Sequence, residues 1–302
     1  MKKSILIIFL LSLLFAGDWL DVQPDARSQS LGGADISTLG NAWAALSNPA
    51  CLTGNSQLSF ASFKQIEDVQ FSYAGFQMVL FNGYIGAVYI DNGDFGFKNT
   101  SYTGGQPVIS GADFGFNNRA FFLSWAAPLF SNKNYNIQVN WGVTYKVINQ
   151  RIADYSAWGQ GADLALAGSI GNALKIGLVQ YNAISPSFLW NSSGQAESMT
   201  KRTKIGMGYF INNSLLIVSA YELDGYRYNK LSIGIEYSIV NTLFLRLGGY
   251  HNSISNDGVN NQNNITVGVG IKIYGLELDC AYEPANIESL GDTFKFSIDY
   301  LL

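Results

Sequence analysis

Cysteine, histidine and charge are all scarce in this chain, and each scarcity removes a class of protein. Two cysteines, Cys51 and Cys280, can build neither a disulfide framework nor a four-thiolate metal site; two unpaired thiols are expected. The single histidine, His251, lies near the outer end of a strand-like segment, with no oriented partner set to make a catalytic triad. Asp91, Asp94, Asp113 and Asp257 lack the spacing of a calcium loop. Gly206/Gly208 and Gly268/Gly270 sit inside alternating segments without the following helix that binds phosphate, and read as lumen-facing or packing glycines. No catalytic centre, cofactor or metal is expected. Charged residues are 13% of the chain, against roughly 25% in soluble domains. The balance of 18 Lys+Arg against 22 Asp+Glu contains no basic block, which excludes a nucleic-acid partner held by phosphate contacts. Long hydrophobic runs are missing too. Beyond the N-terminus none reaches the ~20 residues of a membrane helix, and mean hydropathy is only +0.10. A membrane β-barrel stays open, because its apolar residues alternate with polar ones.

What the chain does have is glycine (32 of 302 residues), phenylalanine (19) and tyrosine (17). Lys2 and Lys3 precede an apolar run from Ile5 to Phe15 and then Ala16-Gly17-Asp18. That pattern predicts a secretory leader over 1–16. No cysteine lies near the cut, so a lipid-modified N-terminus is not expected.

From residue 57 onward the period is two. Ile265, Val267, Val269, Ile271 and Ile273 alternate with Thr266, Gly268, Gly270 and Lys272; Ile137 to Val147 and Leu231 to Ser238 do the same. Such runs predict strands over 57–63, 69–77, 84–91, 113–127, 135–148, 159–169, 173–182, 201–210, 215–222, 228–238, 242–252, 263–273, 276–282 and 293–302. Asp94–Thr100 is a candidate further hairpin. Several runs have the ~9–11 residues of a tilted membrane strand. Short connections (78–83, 128–134, 170–172, 211–214, 239–241, 274–275) alternate with mostly longer ones (92–112, 149–158, 183–200, 253–262, 283–292). This is the pattern of short periplasmic turns and long external loops. The expected fold is all-β: a transmembrane antiparallel barrel of about fourteen strands, spanning 57–302, with both termini periplasmic.

Hairpin register then assigns faces. A two-residue turn at Tyr274-Gly275 sets Lys272 opposite Glu277. A turn at 239–241 sets Arg246 opposite Gly234 and diagonal to Glu236. Lys146, Glu236, Arg246, Lys272, Glu277 and Asp279 are the expected lumen-facing charges. Over 201–222 both faces are fairly apolar, and inside is not separable from outside.

Before the barrel, alternation stops. Residues 25–54 are small-residued, with a Gly32-Gly33 pair that permits a sharp turn and an Asn48-Pro49-Ala50 break. Ala26-Arg27 through Leu31-Gly32-Gly33-Ala34, then Ala42-Trp43-Ala44-Ala45-Leu46-Ser47-Asn48-Pro49-Ala50, resembles the N-terminal plug of the PorV/PorQ outer-membrane family. Tyr89–Phe95, Gly142–Lys146, Gly161–Ala165 and Gly177–Asn182 extend the resemblance to about residue 182. Cys51 stands where that family has glycine, Tyr181-Asn182-Ala183 lacks its Asn-x-Gly, and the chain ends on Leu302 instead of an aromatic residue.

The resemblance implies a plug over 17–56 folded into the barrel, as in the FadL fatty-acid transporters related to that family. It also implies a bacterial outer-membrane location and a link to type IX secretion, with exported proteins or their signal domains as partners beside membrane lipid. The alternative is a FadL-like transporter of hydrophobic small molecules with a ligand in its lumen. Resemblance ranks protein binding first; composition does not separate the two.

Overall fold

A computed structural model describes residue 20 and residues 22–302, apart from 66–68, 99, 104, 105, 110, 112, 192–195, 225–227, 255–261 and 286–290. The expected leader over 1–16 and Asp257 lie outside the described residues. The chain forms β1 (Gln57–Gln65), β2 (Val69–Leu80), β3 (Gly83–Phe97), β4 (Thr100–Thr103), β5 (Gln106–Ile109), β6 (Phe114–Asn132), β7 (Ile137–Ile152) and β8 (Tyr155–Ile170). Then follow β9 (Leu174–Ile184), β10 (Ser187–Trp190), β11 (Ala196–Ser198), β12 (Arg202–Phe210), β13 (Leu215–Asp224) and β14 (Tyr228–Ile239). The last four are β15 (Leu243–Ile254), β16 (Gln262–Ile273), β17 (Leu276–Glu283) and β18 (Thr293–Leu301). Fourteen of them close into an antiparallel barrel. β1 pairs with β18, and the β8–β9 pairing joins the ends of the sheet order. β10 and β11 extend the upper edge of β8, and β4–β5 form a separate hairpin.

Exposure along β18 shows what kind of barrel this is. Lys295 is 0% and Ser297 3% exposed, whereas Phe294 and Phe296 are 54% and 57% exposed. Polar residues point in and apolar ones out. The same parity holds on β14 (Ile233, Ile235), β15 (Leu245, Leu247) and β16 (Ile265, Val267, Val269). A contiguous apolar exterior of this size needs lipid around it. No helix among the described residues is long and apolar enough to cross a membrane.

The short turns share one end with both barrel termini: the Leu302 amide donates to the Ser56 carbonyl, and the Leu301 amide to Gly275. The Tyr274-Gly275 turn has two residues at positive φ (49° and 82°) and pairs Lys272 with Glu277. The turn after β14 differs from the sequence expectation. Arg246 lies directly opposite Glu236, and Gly234 opposite Gly248. Val240 and Asn241 both take left-handed φ (48° and 58°), so the reversal sits one residue later than 239–241. A shift of the reversal by one residue moves each partner by two, which preserves the faces.

Three other differences concern the external side. Asp94 to Phe97 continues β3, and the separate hairpin is Thr100 to Ile109. The expected 149–158 loop is instead the top of β7 and β8, closed where Ile152 pairs with Tyr155. The 183–200 segment contains β10 and β11. Above the lipid both faces of a strand are wetted, so hydrophobic alternation fades while the backbone ladder continues. β3, β6, β7 and β8 reach 15, 19, 16 and 16 residues, against 9 for β12 and 8 for β17. One side of the barrel wall is therefore much taller than the other.

Candidate functional site

Residues 22–52 are largely buried and pack against inward-facing residues of the wall. A short helix, Ala26–Ser30, starts with Asp25 capping the Ser28 amide and ends where Gly32 and Gly33 take φ of 66° and 74°. The Gly33 amide donates to the Ser28 carbonyl at 2.8 Å and that of Gly32 to Gln29 at 3.0 Å, which satisfies the helix's last carbonyls. After a second short helix, Ala44–Ser47, Asn48 folds the chain back. Its Oδ1 accepts from the Ala50 amide at 3.1 Å, and its Nδ2 donates to the Ile36 carbonyl at 2.8 Å. Pro49 then opens a 3-10 turn, Pro49–Cys51, where its missing N–H costs nothing. Burial pushes the Cys51 thiol up to about 12, which leaves it inert at neutral pH.

Glycines of the wall make the seat. A Cβ on Gly142 would lie 2.4 Å from the Ala50 amide nitrogen, and one on Gly248 2.4 Å from the Leu31 carbonyl carbon. Gly177 and Gly206 face Ile36, Gly208 faces Thr38, Gly234 faces Leu31, and Gly268 faces Ser30. Leu216, Val218 and Ala220 of β13 pack on Leu31 and Ala34. That contact explains why 201–222 looked apolar on both faces: one face meets lipid, the other meets this segment.

Charge fastens it at one side. Arg27 binds Glu236 (2.9 Å) and Asp35 (3.2 Å). Glu236 also takes Arg246 (2.6 Å), which continues to Asp279 and Glu277 (3.5 Å). Lys272 reaches Glu277 at 3.5 Å near the turn end, with 44% of its side chain exposed. Burial works against the Arg27 charge, but Glu236 and Asp35 hold the guanidinium above its ordinary value. Burial, and then Asp35, push Asp25 up to about 7. Lys295 sits over the Phe63 ring (3.9 Å) and donates to the Gln23 carbonyl.

Lys146 belongs to a different group, on the opposite wall. It pairs with Asp163 at 2.7 Å, near Arg202–Glu222 (2.6 Å) and Lys204–Glu222 (3.4 Å). Here the β8–β9 ladder slips: Leu164 pairs with Gln180 but Ala162 with Ile184. The extra residues bulge around Asn182, whose φ is 54° and whose amide N–H donates to Asp163 at 2.6 Å. A pocket partly open to solvent lies against this group. Leu20, Val22, Leu46, Phe122 and Met199 give it an apolar side; Lys146, Asp163, Arg202, Lys204 and Glu222 give it a polar one. A concave lining that is half apolar, with a few convergent polar groups, is the usual form of a small-molecule site.

The structure thus gathers Glu236, Arg246, Lys272, Glu277 and Asp279 into one network and sets Lys146 apart. Reading the sequence missed Arg27, Asp35, Asp163, Arg202, Lys204 and Glu222. A signal existed for the wall residues: each shares strand parity with small residues (Gly161 and Ala165; Gly206 and Gly208), the mark of a face packed on another segment. His251 sits on β15 with its ring Nδ1 2.6 Å from Asn263, and both cysteines are free. Among the described residues no cluster of His, Cys, Asp and Glu could hold a metal ion.

No protein-family model and no curated protein matches the chain. Solved structures do. The monoaromatic hydrocarbon channel CymD aligns with a TM-score of 0.67 over 92% of this chain and 97% of its own, at 11% identity. The toluene transporter TbuX of Ralstonia pickettii gives 0.62 over 92% and 98%, at 14% identity. A FadL homologue from Pseudomonas aeruginosa gives 0.59 over 91% and 98%, at 10% identity. What these proteins share with this chain is the fold. With its apolar exterior, the chain is a closed antiparallel β-barrel of the transmembrane kind.

Proposed function

We propose that this protein is an outer-membrane channel admitting hydrophobic small molecules. The observation that carries the reading is the cavity beside Phe122, Met199 and Leu46, lying over a plug seated in the glycine-lined wall. An open porin needs a continuous aqueous path; a half-apolar chamber above a packed segment suits a solute that water holds poorly. Hydrocarbon channels and a toluene transporter having this fold support the same reading. The lipopolysaccharide leaflet slows hydrophobic solutes, so the test is uptake of labelled toluene by cells lacking a channel of their own. Cells making this protein should accumulate label several-fold faster than cells without it; equal rates would contradict the reading.

Protein binding, the function implied by the PorV/PorQ resemblance, takes second place. It rests on motif order and on the tall wall of β3, β6, β7 and β8, which offers a projecting surface. Capture of exported proteins on the detergent-solubilised barrel, lost when the tops of β7 and β8 are shortened, would favour it.

A further inference from the structure

The polar half of the cavity points to the chemical class of the molecule it takes. Three cations (Lys146, Arg202, Lys204) and three carboxylates (Asp35, Asp163, Glu222) line it. The charges are spent on one another: Lys146 on Asp163, and Arg202 and Lys204 together on Glu222. Asp35 is spent on Arg27. Their side chains are nearly buried, Lys204 and Glu222 at 6% exposed each and Lys146 and Asp163 at 4% and 2%.

Resting on the channel reading above, we infer that the cavity selects neutral amphiphiles: a compact apolar body carrying an uncharged hydroxyl, carbonyl or amide. A free carboxylate finds every lining cation already paired, and it must give up its hydration to compete with Asp163 or Glu222 for cations they already hold. A pure hydrocarbon enters but is held more weakly, for the opposite reason. It displaces water from the outer edges of these ion pairs and returns no hydrogen bond. A neutral polar head does neither. It accepts from an ammonium N–H without breaking a pair, and its own O–H or N–H can serve a wall acceptor. One such acceptor lacks a donor: Asn182 lines the cavity, is 2% exposed, and its Oδ1 has no hydrogen-bond partner, while its Nδ2 is committed to the Thr200 carbonyl. Leu20, Val22 and Phe122 receive the apolar body.

Three solutes of one size and three head chemistries test this: 2-phenylethanol, ethylbenzene and phenylacetate, titrated by ligand-observed NMR onto the full chain in lipid nanodiscs. The expected order puts 2-phenylethanol at least tenfold tighter than either other compound. Lys204→Met leaves Glu222 held by Arg202 and should bring 2-phenylethanol to the level of ethylbenzene. Asn182→Gly, which tolerates the positive φ, should weaken the alcohol alone, and it carries the test should Lys204→Met not assemble. Ethylbenzene binding as tightly as the alcohol, or phenylacetate binding tightest, would overturn the inference and leave the channel standing. Absence of binding by all three would remove the channel reading beneath it, and the inference with it.

Discussion

Asn48 holds the plug's fold with one amide. It satisfies the Ala50 amide and the Ile36 carbonyl at once, in a side chain with no solvent exposure. Asn48→Ala leaves the Ala50 amide buried and unpaired, at about 1–3 kcal/mol, and leaves the Ile36 carbonyl only the weak Cys51 thiol donor at 3.3 Å. The variant should melt lower by thermal denaturation monitored in detergent, while its barrel keeps its heat-modifiable mobility. Asp25 makes a prediction with a sign. Burial and the charge of Asp35 raise its pKa from 3.8 to about 7. A carboxyl raised on folding contributes its full stability below the unfolded value and loses it as pH climbs through the folded one. Asp25→Asn keeps an oxygen for the Ser28 amide and carries no charge. Its melting temperature should exceed that of the native protein at pH 8, with the gap closing towards pH 4. An equal gap at both pH values would show that Asp25 does not titrate on folding.

At the scale of elements, the strands were legible and their tops were not. Alternation marks a strand only where one face meets lipid and the other does not. Leu164 and Leu166 announce β8; Gln160, Trp158 and Ser156, beyond the lipid, do not. Of the candidate site, the network around Glu236 and Arg246 was legible because hairpin arithmetic reaches neighbouring strands. Its link to Arg27 crosses 209 residues, which no register can supply. The wall glycines were visible as glycines, but their purpose depends on which residues of the plug they meet. That purpose is testable. A side chain at Gly248 collides with backbone atoms of Leu31 and Gly32 at 2.4 and 2.5 Å. Such backbone cannot yield as a flexible side chain can, and overpacking costs about 1–3 kcal/mol. Gly248→Val should expel the plug while β15 still pairs, so trypsin should cleave after Arg27 in the variant and spare the native protein. Equal resistance in both would mean the seat is looser than the glycines imply.

For the whole molecule, the account joins an apolar exterior, a wall of inward glycines and a chain segment threaded inside. Barrels of this width do not fill with wall side chains alone. The plug supplies the missing core, and the cavity is what it leaves open. Such a protein should let an apolar solute reach the lumen while denying ions a continuous path. Single-channel conductance in planar bilayers tests that claim most directly. The intact protein should show little ionic current, and deletion of residues 25–54 from an assembled barrel should open a large, steady one. A native protein that already conducts as freely as the deletion variant would contradict the account.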